Sequence, residues 1–375
     1  MKKVFNGIDL IDSAKNILQG NRLGLLSSAS GINKQADPTY LILHEKFNLC
    51  ALYAPEHGIR CNLQEGIGME DCKDDETGLP LFNVFNPGAI DCEKLDKMLS
   101  GIDMLVYDIQ DVGVRFYAYM YNLSDMMTRC AVLKKPVVVL DRVNLIGGSL
   151  LEGPRLDESK FASEIGRFNL PIRYGMTIGE YAKWVNVEKN IHCELYVIPV
   201  EGWNRSLYAD ETDLLFVNPS PNIPSVNTAI NYNGTCLFEA TNISEGRGTT
   251  HPFDMVGAPF VDSKALLEHM RSKHIEGVTI RRTAFTPTNQ KHKGQVCEGI
   301  ELHITDRKSY RPLYTALCIL EHMRTYKELE VKPDRLAKLY GTNDINVEFS
   351  PEKLIAKTET ELENYRKEIQ PYLLY

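Results

Sequence analysis

Residues 51–60 read ALYAPEHGIR. Ala51–Ala54 is a short apolar run that suits a buried strand, and Pro55, which has no N–H to donate, ends it. The stop delivers Glu56 and His57 to the carboxyl end of that strand, and Gly58 lets the chain turn. In an open parallel α/β sheet, ligands sit outside the carboxyl ends of the strands. A carboxylate and an imidazole placed there are candidates for acid–base chemistry. An isolated Glu-His-Gly is equally an ordinary polar strand-to-loop junction, so the reading depends on what the other strand ends carry.

Upstream, LGLLS at 23–27 is a continuous apolar run of the kind buried on both faces of a parallel sheet. Asp37-Pro38 opens a helix running to Lys46, and a strand over 48–54 follows, so the chain begins as a β-α-β unit with a right-handed crossover. Downstream, after a helix at 93–99, DMLVYDI at 103–109 predicts a strand ending in Asp108, with Gln110, Asp111 and Arg115 just beyond. A long helix over 116–133 leads to PVVVL at 136–140, which ends in Asp141-Arg142. This alternation predicts a doubly wound, mostly parallel sheet. Three strand ends then carry acids: Glu56, Asp108 with Asp111, and Asp141. On one sheet edge they would share a cleft and push each other's pKa values apart. Each acid alone also reads as a helix cap or as a partner of Arg115 or Arg142.

The rest of the chain is read more coarsely. Residues 58–80 lack periodicity and predict a long surface loop. Thr177 followed by Glu180 is a capping box opening a helix to Lys189, and a strand is expected over 194–200. VNPSPNIPSVN at 217–227 holds three prolines and marks either a domain boundary or a crossover lining a cleft. Beyond it an α+β half is expected, with strands at 235–240, 278–282 and 299–304, helices at 263–273 and 311–325, and a helical tail over 351–375. Within it, SEGRGTTHP at 244–252 sets Glu245 and Arg247 among glycines, which lets a guanidinium approach a ligand closely.

The chain has 375 residues, 43% hydrophobic and 25% charged, with a net charge of −8, which fits a soluble protein of two domains. No basic stripe is present, so nucleic acid and anionic membrane surfaces are not expected partners. No apolar segment follows the lysines of the N-terminus, so no secretory signal is read and a cytoplasmic location is expected. The nine cysteines are scattered without a CxxC, which predicts neither a disulfide framework nor a zinc site. The histidines show no HExxH, and no metal is expected. GxGxxG and GxxxxGK[ST] are absent, which sets NAD and ATP aside; no cofactor is expected.

APEHGIR at 54–60, YDIQDVGVRFYAYMY at 107–121, YGMTIGEYA at 174–182, NPSPNIPS at 218–225, LFEATNISEGRGTTHPF at 237–253 and GAPF at 257–260 together resemble the exo-β-N-acetylmuramidase (NamZ) family, glycoside hydrolases of peptidoglycan fragments. The resemblance runs from about residue 20 to the C-terminus. It implies a Rossmann-like catalytic domain over 1–222, a smaller α/β domain over 223–375, and an active-site cleft between them. It implies release of N-acetylmuramic acid (MurNAc) from the non-reducing end of MurNAc–GlcNAc chains. Glu56 is then the catalytic carboxylate, with His57, Asp111 and Asp108 as further catalytic candidates. Arg247, Arg115 and Arg142, in that order, are candidates for the lactyl carboxylate of MurNAc, since arginine reads a carboxylate bidentately. Asp141, Glu245, Asn222 and Tyr117 complete the expected substrate-binding set. Two segments depart from the family pattern: Arg60-Cys61-Asn62 stands for Arg-Gly-Asp, and Val143 stands for the proline after Asp141-Arg142. A binding protein of the same fold without turnover is the alternative reading, and a homodimer is left open.

Overall fold

The apolar runs pair much as their alternation predicts. The structure is a computed structural model that describes residues 1–63, 70–85, 91–347 and 349–375. Strands β1 (Leu23–Ser27), β2 (Leu49–Ala54), β3 (Cys72–Lys73), β4 (Pro80–Asn83), β5 (Met104–Asp108), β6 (Val137–Leu140) and β7 (Leu195–Ile198) form one sheet in the order β3-β4-β2-β1-β5-β6-β7. All pairings are parallel except β3 with β4. The parallel strands step outward from β1 to β4 on one side and from β5 to β7 on the other, so the winding reverses between β1 and β5. That reversal is the topological switch of a doubly wound fold. Gly24 of β1 is required by packing: a Cβ there would meet the Tyr53 ring at 2.6 Å.

Two expectations need correction. Residues 58–80 are not all loop, because β3 and β4 lie within or against them, and β4 pairs with β2 through Leu52 and Leu81. PLFN is too short and too partly buried to show a period. Residues 64–69 of that stretch lie outside the described residues. Thr235–Ala240 is not a strand: Val226–Thr235 is a helix, and Cys236–Ala240 continues it as a 3-10 turn. Ser225 caps that helix, its side chain accepting from Thr228 N at 3.0 Å. A short apolar run such as TCLFEA suits strand or helix equally, and here the cap and tertiary packing decide.

The second half adds a three-stranded antiparallel sheet, β8 (Met255–Ala258), β9 (Val278–Phe285) and β10 (Cys297–Ile304), in the order β8-β10-β9. The Ser263–Ser272 helix packs on it, and the Pro312–Met323 helix lies between that helix and Val226–Thr235. One apolar cluster runs continuously from Tyr53, Leu105 and Val139 on one sheet face through Trp184 and Ile230 to Ile300 and Leu317. A second cluster covers the other face with Leu25, Leu52, Val106 and Val138 against Ile8 and Leu43. Among the described residues, no helix is long and apolar enough to cross a membrane.

Gly234 sits where Val226–Thr235 crosses Pro312–Met323, and a Cβ would lie 2.0 Å from the Pro312 carbonyl oxygen. Gly234→Ala is therefore expected to destabilise by roughly 3 kcal/mol, the upper part of the overpacking range. Gly101→Ala, which meets nothing within 4 Å, is the neutral control. Urea unfolding of both variants measures the difference.

Glu152 joins the halves. Its Oε1 accepts from Leu313 N at 3.0 Å, in the first turn of a helix whose Pro312 has no N–H to offer, while its Oε2 is buried without a hydrogen bond. Burial raises its pKa to about 7, against the opposing pull of Arg173 and Arg311. The folded state then holds more protons than the unfolded chain between about pH 4.5 and 7, so this group's contribution to stability falls as pH rises through that window. Glu152→Gln keeps an acceptor and removes the charge. Its stability relative to the parent is expected to improve from pH 5 to pH 8, read as the change in melting temperature across that series.

Candidate active site

Pro55 closes β2, and Gly58 N donates back to Pro55 O at 2.9 Å with Gly58 in the left-handed region at φ +78°. This turn points Glu56 and His57 into a cavity of about 100 Å³. Arg60 anchors the following loop through Asp74 at 2.7 Å and stacks over Tyr40. Phe116, Tyr117 and Tyr119 line it from the segment after β5, Ser220, Asn222 and Ile223 from the proline-rich stretch, and Tyr232, Cys236, Glu239, Arg247, Phe253 and Arg335 form the far wall. The proline-rich 217–227 stretch is thus a cleft-lining crossover, held by a bond from the Tyr117 hydroxyl to Pro219 O at 2.8 Å. The long helix expected over 116–133 begins only at Tyr119, which frees Phe116 and Tyr117 to line the cavity.

Glu56 is half-buried, and Tyr119 and Arg247 are within electrostatic reach of it. Tyr53, near the end of β2, sends its hydroxyl to Met98 O in the core. The His57 Nδ1 lies 2.9 Å from Leu63 O, so this nitrogen carries the proton and Nε2 is left as an acceptor. Burial lowers the His57 pKa, Leu63 O pulls it back up, and Arg247 pushes it further down. The ring is neutral at pH 7.

Arg247 is placed by a tight glycine turn. Gly246 and Gly248 are both left-handed, and a Cβ on either would meet backbone, His251 O at 2.7 Å or Asn289 N at 2.8 Å. The glycines therefore serve backbone packing rather than ligand approach. The Arg247 guanidinium binds Glu239 at 2.6 Å, lies 3.5 Å from Glu245 and sits 5.1 Å over the Phe253 ring. Burial and Arg335 lower its pKa to about 10, which leaves it cationic. Glu245 stands behind Arg247, paired with Lys291 at 2.8 Å, and does not line the cavity.

The other expected residues lie elsewhere. Asp108 is fully buried in an ion pair with Arg142, whose Nη2 donates at 2.8 Å, and it also accepts from Thr39. Arg142 faces a different cavity, lined also by Ser30, Gln110 and Leu214. Asp141 accepts from Gly179 N at 2.7 Å, Thr177 Oγ1 at 2.8 Å and Tyr375 at 2.6 Å, capping the Ile178–Glu188 helix. Asp111 accepts from Gly113 N at 2.6 Å and from Tyr174, and its Oδ2 is buried without a hydrogen bond. Burial lifts both Asp141 and Asp111 to about 6. Arg115 is fully buried and donates to the carbonyls of Pro154, Leu170 and Leu339 at 2.7–2.8 Å. None of these five lines the Glu56 cavity. A strand-end rule puts acids at the right edge of the sheet but does not show which way each side chain is spent.

Glu239, Arg335, Tyr119 and Tyr232 line the cavity beyond the expected set. Glu239 and Tyr119 belong to the family-like segments 237–253 and 107–121. Arg335, in the first turn of the Pro333–Tyr340 helix, carries no sequence signal of a site. Among the described residues, no group of three or more His, Cys, Asp or Glu is arranged to hold a metal ion.

Known proteins resemble this chain over its whole length. Residues 23–227 match the family described as "Exo-beta-N-acetylmuramidase NamZ, N-terminal", and residues 230–375 match its C-terminal counterpart. The chain is 39% identical to the peptidoglycan beta-N-acetylmuramidase NamZ of Bacillus subtilis (strain 168), over all of this chain and 92% of that protein. Crystal structures of two DUF1343 family proteins from Bacteroides fragilis NCTC 9343 superpose with TM-scores of 0.89 and 0.79, each 28% identical and covering this whole chain. They cover 100% and 99% of those two chains. With both halves matched in order, and with 39% identity to a peptidoglycan beta-N-acetylmuramidase over its whole length, this chain belongs to the exo-β-N-acetylmuramidase NamZ family.

Proposed function

We propose that the chain is a glycosidase that releases MurNAc from the non-reducing end of peptidoglycan-derived MurNAc–GlcNAc saccharides, in the cleft between its 1–222 and 223–375 parts. The observation that carries this reading is the pairing of a carboxylate, Glu56, with a cationic far wall in one small aromatic-lined cavity. Glycosidic cleavage needs a proton for the leaving oxygen and stabilisation of an oxocarbenium-like centre. Glu56 is assigned as the general acid. Neutral His57 serves as an uncharged acceptor beside it, and Tyr117, Asn222 and the other aromatic residues enclose the sugar. Arg247 is assigned to the lactyl carboxylate, the group that distinguishes MurNAc from GlcNAc.

Asp108 and Asp111 are withdrawn as nucleophile or base, because each is buried in its own hydrogen-bond network away from the cavity. Among the described residues lining the cavity, Glu239 is the carboxylate besides Glu56, and two guanidiniums hold it. This favours assistance by the substrate's own 2-acetamido oxygen: it attacks the anomeric carbon as Glu56 protonates the departing oxygen, and water then opens the cyclic intermediate.

The test is hydrolysis of a chromogenic β-MurNAc glycoside by the parent and by Glu56→Gln, with the β-GlcNAc glycoside alongside. Release from the MurNAc glycoside, reduced at least ~10³-fold in the variant, is the expected result. NMR of the first sugar released should show the β-anomer, as two inversions require. An α-anomer would rule out acetamido assistance. A fully active Glu56→Gln would remove Glu56 from the chemistry.

A further inference from the structure

The far wall of the cavity holds two cations on one anion. Glu239 Oε1 takes Arg247 Nη2 at 2.6 Å, and its Oε2 takes Arg335 Nη2 at 2.9 Å. The Glu239 side chain is 11% exposed and Arg335 is 33% exposed. The next carboxylate near Arg335 is Glu164, 3.7 Å from its Nη1 and beyond hydrogen-bond distance. Among the described residues, Arg335 hydrogen-bonds one carboxylate, Glu239, and its side chain lines the cavity.

Among the described residues, the charged side chains lining the cavity are Glu56, Glu239, Arg247 and Arg335. A carboxylate on the sugar makes a charge-assisted contact with the guanidiniums there, and a sugar without that carboxylate forgoes it.

We propose that Arg335 is a specificity-determining residue that reads the lactyl carboxylate of MurNAc together with Arg247, and that Glu239 is the positioning residue holding the two guanidiniums side by side. The proposal rests on the reading of this cavity as the MurNAc site. Two like charges brought together in a low-dielectric wall repel unless a carboxylate lies between them. Glu239 supplies that carboxylate with one oxygen for each arginine. Arg335 is held from behind as well, since its helix ends on the Leu339 carbonyl that Arg115 grips.

The experiment compares Arg335→Gln, Arg335→Lys and Glu239→Gln with the parent. It uses steady-state kinetics on the β-MurNAc glycoside and thermal stabilisation by free MurNAc and by free GlcNAc. Arg335→Gln is expected to raise KM for the MurNAc glycoside at least ~10-fold with kcat within about threefold, the loss of one charge-assisted contact. It is expected to lose most of the stabilisation by MurNAc and none of that by GlcNAc. Arg335→Lys should recover part of both losses. Glu239→Gln should raise KM in the same direction. An unchanged KM in Arg335→Gln, or equal loss of MurNAc and GlcNAc stabilisation, would overturn the specificity role. A kcat loss of ~10³-fold or more in Glu239→Gln with KM unchanged would make Glu239 part of the chemistry and overturn its positioning role. If the parent releases no MurNAc, the functional reading fails by itself, and the thermal-shift comparison still decides whether Arg335 discriminates the two sugars.

Discussion

A buried guanidinium holds the two halves of this protein in register. Arg115 follows β5, is fully buried, and donates to the carbonyls of Pro154, Leu170 and Leu339. The last of these lies in the final turn of the Pro333–Tyr340 helix, where unsatisfied carbonyls carry the negative end of the helix dipole. Gly341, left-handed at φ +110°, is what admits the side chain: a Cβ there would sit 2.8 Å from Arg115 Nη2. Burial lowers the Arg115 pKa only to about 10, so the cation persists. Without it three buried carbonyls would lose their donor, at about 1–3 kcal/mol each. The residue expected to touch substrate instead fixes the helix whose first turn reaches the cavity.

The same logic separates the acids at the sheet edge. Strand topology brings Glu56, Asp108 and Asp141 to the carboxyl side, as the alternation predicts. At the switch point between β1 and β5 a separate cavity opens beside Ser30 and Gln110, and there Asp108 is locked to Arg142 and Thr39. One strand over, at β2, the second half closes across the sheet with Tyr232, the Arg247 turn and Arg335, and leaves a cavity. The site is therefore displaced from the place a nucleotide-binding sheet would use.

How much of this was legible depends on the length of the signal. LGLLS, DMLVYDI and PVVVL are continuous apolar runs bounded by turn formers, and each is a strand within a residue or two of its expected limits. The Thr177–Glu180 capping box is present as read. PLFN, MVGA and TCLFEA are four to six residues long and carry no period, so the first two show no strand signal and the third suits strand and helix alike. For the cavity, Glu56, His57, Tyr117, Asn222 and Arg247 lay in the quoted motifs and line it. Arg115, Arg142, Asp108, Asp111 and Asp141 lay in similar motifs and do not. Residue type reveals that a charge is present; only packing reveals whether it has been consumed by a neighbouring carbonyl or counter-ion.

That distinction bears on how the far wall works. Phe253 adopts φ +62°, a region that costs a non-glycine residue roughly 1–3 kcal/mol. The strain is held by Phe253 N donating to Glu245 O at 2.6 Å and by an edge contact with the Tyr232 ring at 4.6 Å. In return the Phe253 ring lies under the Arg247 guanidinium, while Glu239 and Glu245 fix its edge. Arginine carries much rotamer entropy, and a guanidinium free to roam would lose it on meeting a ligand. Here that loss is already met in folding, so an anion entering the cavity meets cations already in place. The strained backbone at Phe253 is thus the counterpart of a guanidinium that is already fixed in place.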